Sequence, residues 1–122
     1  MNVIKNKNSV AQVFDDGIFY IEYLHDTYST LDDFKEGNDS FQTLRQGKKM
    51  KILFEMAPLA SLDLEVDEYN EFINLSIIAQ AIVVNSLAQR LMFSFYLELG
   101  NQKYPIKIFS NKNLALKWLK GI

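Results

Sequence analysis

Apolar and polar positions repeat with two rhythms along this chain, a period of two and a period near 3.6. The plainest two-residue rhythm is "MKILFEM", where Met50, Ile52, Phe54 and Met56 share one side. Alternate side chains of a strand point to opposite faces, so this segment predicts a strand with Lys51 and Glu55 on its wetter side. "VAQVFDDGIFYIEYL" predicts two strands around Asp15, Asp16 and Gly17, a turn of short polar side chains plus one residue tolerant of positive φ. In the second of these strands Ile18 and Tyr20 fall on one face and Phe19, Ile21 and Tyr23 on the other, so it belongs in a sheet interior. "IIAQAIVV" is apolar on both faces apart from Gln80, which places residues 78–84 as a central strand. "YPIKIF" points Ile106 and Ile108 inward and Lys107 outward, and Pro105 near its start favours a sheet edge.

The helical rhythm appears four times. Leu31, Phe34, Phe41 and Leu44 recur at helix spacing after a Thr30/Asp33 capping box, with Asp32 suiting the helix dipole, Gly37 weakening the middle and Gly47 as the stop. A shorter helix begins near Asp67 and buries Tyr69, Phe72 and Ile73. A third begins near Leu87, with Ser86 as cap, Gln89 completing a capping box, and Gly100 at the end. The last begins near Asn111, capped by Ser110, and buries Leu114, Ala115, Trp118 and Leu119. The order is β-β-α-β-α-β-α-β-α, which predicts one α/β domain over residues 1–122: a mixed sheet of about five strands with about four helices.

The third helix, "NSLAQRLMFSFYLELG", is apolar on nearly every side. At about 100° per residue, Leu91, Phe95, Ala88, Leu99, Met92 and Tyr96 fill one broad arc, read as the core face. Phe93 and Leu97 fall outside it, beside Gln89 and Arg90. Each large apolar side chain left in water forgoes roughly 1.5–3 kcal/mol of burial. The pattern therefore predicts a homodimer across Phe93 and Leu97, with Arg90 and Glu98 at its polar rim. The rival cover is the N-terminal segment "MNVIKNKNSV" or the last helix, folded over the same face.

Composition narrows the function classes. A net charge of −2 and a pI near 5.3 do not suit a nucleic-acid footprint. The absence of cysteine excludes disulfides and thiol–metal sites and suits a reducing, cytoplasmic setting. No apolar run follows the first lysines, so no signal peptide is expected, and no apolar stretch reaches the roughly 20 residues of a membrane span. Charge is uneven: residues 52–89 hold no Lys or Arg but include Glu55, Asp63, Glu65, Asp67, Glu68 and Glu71. After Glu98 only lysines follow, which predicts either a bipolar docking surface or two elements that offset each other within one chain.

Catalytic chemistry finds little to stand on. His25 is the sole histidine, so beside Asp26 it reads as a surface residue at a strand end. Asp67, Glu68 and Glu71 share a helix side, as a hard cation would want, but the segment lacks the regular ligand ladder of a calcium loop. No glycine-rich phosphate loop, GxSxG, HExxH or CxxC occurs. No catalytic residue, metal ligand or cofactor is assigned, and the chain is expected to be non-enzymatic.

"GIFYIEY…TLDDFKE", "AIVVNSLAQRLMFSF", "PIKIF" and the closing "ALKWL" together resemble the small STAS-like domains related to anti-sigma-factor antagonists, over residues 10–119. These are packing motifs, so the resemblance implies the fold and a bacterial, cytoplasmic, protein-interaction role rather than an activity. In the regulatory members a serine at the start of the helix after the third strand is phosphorylated. The matching stretch here, "FEMAPLASLDLEVDEY", lacks the usual Asp-Ser pair and has Ser61 followed by Leu62 and Asp63. The resemblance thus implies a regulatory surface on residues 57–64 and the acidic helix after them, with Ser61, Asp63, Asp67 and Glu68. CRAL-TRIO lipid-transfer domains, of similar topology, bind hydrophobic ligands. They supply the alternative, a small apolar or lipid-like ligand held between sheet and helices by Phe19, Tyr23, Met56, Met92 and Tyr96.

Overall fold

The computed structural model describes residues 3–70, 72, 76–100 and 102–122. Six strands form one sheet: β1 (Val3–Lys5), β2 (Ser9–Val13), β3 (Phe19–Tyr23), β5 (Met50–Met56), β7 (Ile77–Val83) and β8 (Ile106–Phe109), neighbours in that order. The first two pairings are antiparallel and the remaining three are parallel. Two short strands, β4 (Tyr28–Ser29) and β6 (Ser61–Leu62), make a separate parallel bridge. The helices are α1 (Leu31–Arg45), α2 (Val66–Asn70), α3 (Leu87–Leu99) and α4 (Lys112–Lys120).

The expected hairpin is present, with Gly17 at φ 83° between Phe14 and Ile18. β3 and β7 are interior and β8 is an edge, as the apolar patterns and Pro105 require. β1 is an addition: the three residues "VIK" are too few to announce a strand, and it forms by pairing with β2.

The sheet separates two cores, and strand alternation sorts residues between them. Phe19, Ile21 and Tyr23 join Ile52, Phe54 and Met56 beneath α1, α2 and α3. Ile18, Tyr20, Leu53, Ala79, Ala81 and Val83 face the other way, under α4. α1 lies close to the sheet because residue 37 is glycine. A Cβ there would stand 2.6 Å from the Tyr23 hydroxyl oxygen and 2.9 Å from Ile21 Cδ1. Gly37 is therefore a packing requirement rather than a weak point of the helix. At the start of α1 the Thr30 N–H donates to the Asp33 carboxylate at 2.9 Å, the expected box. At its end Gln46 and Gly47 both adopt left-handed φ.

Three expectations about helices are corrected. α4 is capped by Asn111, whose side chain accepts from the Leu114 N–H at 3.1 Å, not by Ser110. Leu114 stays exposed while Ala115 and Leu119 are fully buried and Trp118 is half-buried. α2 is described over Val66–Asn70, with Tyr69 buried and Phe72 only half-buried; Ile73 lies outside the described residues.

Candidate interaction surfaces

α3 follows β7 and lies on the sheet face shared with α1 and α2, and its orientation reverses the one its sequence suggests. Phe93 is fully buried, edge-on to Phe54 at a centroid separation of 5.5 Å. Gln89 and Tyr96 are buried beside it, and Leu97 and Arg90 are half-buried. The dimer contact expected at Phe93 is thereby overturned, because Phe93 is core and has no surface to offer. The opposite side carries Leu87, Leu91, Phe95 and Leu99, exposed by 69, 61, 53 and 55%. These four recur every fourth residue and form a continuous apolar stripe in water.

The inward face of α3 is held by the Phe93–Phe54 contact, by Tyr96, and by one polar side chain, Gln89. Gln89 donates its amide to the carbonyls of Ala57 and Ala60, 2.9 Å each, and accepts from the Asn85 N–H at 2.6 Å. Its side chain serves the residue before the cap rather than closing a box on Ser86. Ser86 itself accepts from the Gln89 N–H at 3.1 Å. Asn85 also donates to the Met56 carbonyl. Polar anchoring to a neighbouring loop turns Gln89 inward, and Leu91 and Phe95 turn outward with it.

That loop is the one implied as regulatory. Its tip, Leu59, is 70% exposed and has φ 63°, a left-handed backbone that leucine rarely takes. The Asp26 N–H, itself in a left-handed residue, donates to the Pro58 carbonyl at 3.1 Å and braces the tip. Ser61 lies in β6, half-buried, with its N–H donating to the Thr27 carbonyl at 2.9 Å. Asp63 and Asp67 are exposed, whereas Glu68 caps α2 by accepting from the Glu65 N–H at 2.9 Å. Glu71 lies outside the described residues. His25 is exposed in the turn after β3, beside Asp26.

The candidate ligand contacts do not converge. Phe19 and Tyr23 line a cavity of about 70 Å³ between the sheet and α1, together with Phe34, Phe41, Tyr69 and Tyr104. Met56 and Tyr96 are packed in the filled core and Met92 is half-buried; none of the three lines the cavity. Its volume is under half the roughly 150 Å³ of a cavity that takes one benzene, so a lipid-like ligand does not fit it. Tyr96 instead stacks on Tyr69 at 4.7 Å and donates to the Leu64 carbonyl at 2.6 Å. Burial pushes the Tyr104 hydroxyl up to about 12 and raises Tyr23 and Tyr69 further, so all three remain neutral phenols at physiological pH.

On the opposite sheet face Glu22 and Glu55 stand side by side in register. Tyr20 donates to Glu55 at 2.7 Å, and Lys112 lies 3.8 Å from Glu55 and 4.2 Å from the centre of the Tyr20 ring. Lys120 pairs with Asp16 at 3.4 Å. Two of the C-terminal lysines therefore offset acids within the chain itself rather than forming one pole of a bipolar surface. Among the described residues, no helix is long and apolar enough to cross a membrane.

An antiparallel opening, a one-way parallel extension, three helices on one face and one on the other define the STAS-like, SpoIIAA-like α/β fold. An uncharacterised protein of the DUF3478 family with a SpoIIAA-like fold, from Shewanella loihica PV-4, superposes with a TM-score of 0.63 at 15% identity, covering 97% of this chain and 90% of that one. The chain belongs to the family described as Domain of unknown function (DUF7793), whose model matches residues 12–122. No curated protein matches it.

Proposed function

We propose that this domain is a protein-interaction module of STAS-like fold that works through contacts rather than chemistry, and that it assembles as a homodimer. The observation that carries the reading is the stripe of Leu87, Leu91, Phe95 and Leu99, each more than half exposed on a regular helix. Four such side chains hold roughly 400 Å² of apolar surface, within the range of the largest patch on a typical monomer, which is often functional. The bracing of Leu59 by Asp26, and of its loop by Gln89 and Asn85, supports a second contact surface where the regulatory STAS proteins it resembles carry their phosphorylated serine. The test is light scattering on the wild type and on Leu91→Asp combined with Phe95→Asp. The reading expects a wild-type dimer and a folded, monomeric variant. A wild-type monomer, or a variant that remains dimeric, refutes α3 as the contact.

A further inference from the structure

We infer that two copies pair through the outer faces of α3 in antiparallel register, about a two-fold axis level with residue 93; this rests on the reading of that face as the contact surface. Among the described residues, no stretch that sequence patterning offered as a cover lies there. Val3–Lys5 forms β1 at the far edge of the sheet, five strands away from β8, and α4 packs against the other sheet face. A second copy carries the same uncovered stripe, and self-pairing closes it.

The stripe is symmetric about its own middle. Leu87, Leu91, Phe95 and Leu99 are evenly spaced, so an antiparallel partner sets Leu91 on Phe95 and Leu87 on Leu99 at both ends of the contact. Charge selects the same register. By helical periodicity Arg90 and Glu98 lie along one edge of the stripe, on either side of its midpoint. An antiparallel two-fold keeps that edge on the same side and brings Arg90 of one copy within side-chain reach of Glu98 of the other, twice over. A parallel two-fold would instead put the two copies of that edge on opposite sides of the seam and leave all four charges unmatched. Among the described residues neither Arg90 nor Glu98 forms an ion pair within the monomer, so both charges are free to be matched from outside. Antiparallel helices also oppose their dipoles. The stripe supplies about half of the roughly 800 Å² per partner of a standard interface, so the dimer is expected to be a modest one, forming at micromolar concentrations.

The sequence contains no cysteine, so Arg90→Cys and Glu98→Cys each introduce the only thiol. The two variants are mixed near 100 µM, roughly where a modest dimer is populated, and treated with a short bis-maleimide. The proposal expects crosslinking between the two variants to exceed crosslinking of either one with itself by roughly fivefold. Preferential self-crosslinking of Glu98→Cys, or no preference, overturns the antiparallel register. If Leu91→Asp with Phe95→Asp is monomeric in the same experiment, the contact face survives that outcome. If the wild type is monomeric by sedimentation, or the aspartate variant still dimerises, both the face and the register fall.

Discussion

Gln89 anchors the first turn of α3 to the loop after β5. Its amide is buried against two loop carbonyls, so Gln89→Ala leaves the Ala57 and Ala60 oxygens without their partner. We expect a loss of about 2–3 kcal/mol in chemical denaturation, with faster amide exchange across residues 57–61. A residue that merely decorated the surface, as its polarity suggests, would cost almost nothing. Gly37 makes the complementary case. Alanine there gains up to about 1 kcal/mol of helix propensity but collides with Tyr23 and Ile21. Overpacking at about 1–3 kcal/mol wins, so Gly37→Ala should destabilise by about 1 kcal/mol, and Tyr23→Phe in the same chain should recover much of that. Neither residue's role could be read from its neighbours in sequence, because each is set by an element more than a dozen positions away.

Whole helices were legible in outline. The Thr30/Asp33 box, the Ser86 cap and the glycine stops state where α1 and α3 begin and end, because caps are local chemistry. The face that α3 buries is a different matter. A helix apolar on nearly all sides has little amphipathic preference, and polarity was a misleading guide because Gln89 is anchored inward. The two faces predict opposite behaviour on truncation. Phe93→Ala removes a fully buried ring and should cost about 3–5 kcal/mol of stability. Leu91→Ala, on the exposed stripe, should leave monomer stability within about 0.5 kcal/mol while weakening self-association. Thermal and chemical unfolding below the dimerisation range separates the two. The cap of α4 moved by one residue because Ser110 and Asn111 both have capping side chains, and the choice between them depends on where β8 releases the chain.

Across the whole molecule, strand alternation sorts β3 between its two cores, and Lys112 and Lys120 each meet an acid of the same chain, Glu55 and Asp16. What alternation could not show is the cross-strand pair Glu22 and Glu55, which exists only in the folded register. Burial, then the Glu55 carboxylate, raises the Glu22 carboxyl above its ordinary range, with Lys112 pulling the other way. A carboxyl raised in the folded state binds its proton more tightly there than in the unfolded chain. Its stabilising contribution is complete below the ordinary carboxylate range and is lost as pH rises through the raised value. Glu22→Gln should therefore stabilise the domain by a few tenths of a kcal/mol at neutral pH, with the gain gone by about pH 4 in melts across that range. The order of the main sheet has a consequence for how the chain assembles. Leaving aside the small β4–β6 bridge, every strand among the described residues pairs with the strand just before it in sequence, and none of them slips between two already placed. During synthesis the growing edge can accept each strand as it emerges. Folding can then advance with translation, and no finished pairing has to reopen to admit a latecomer.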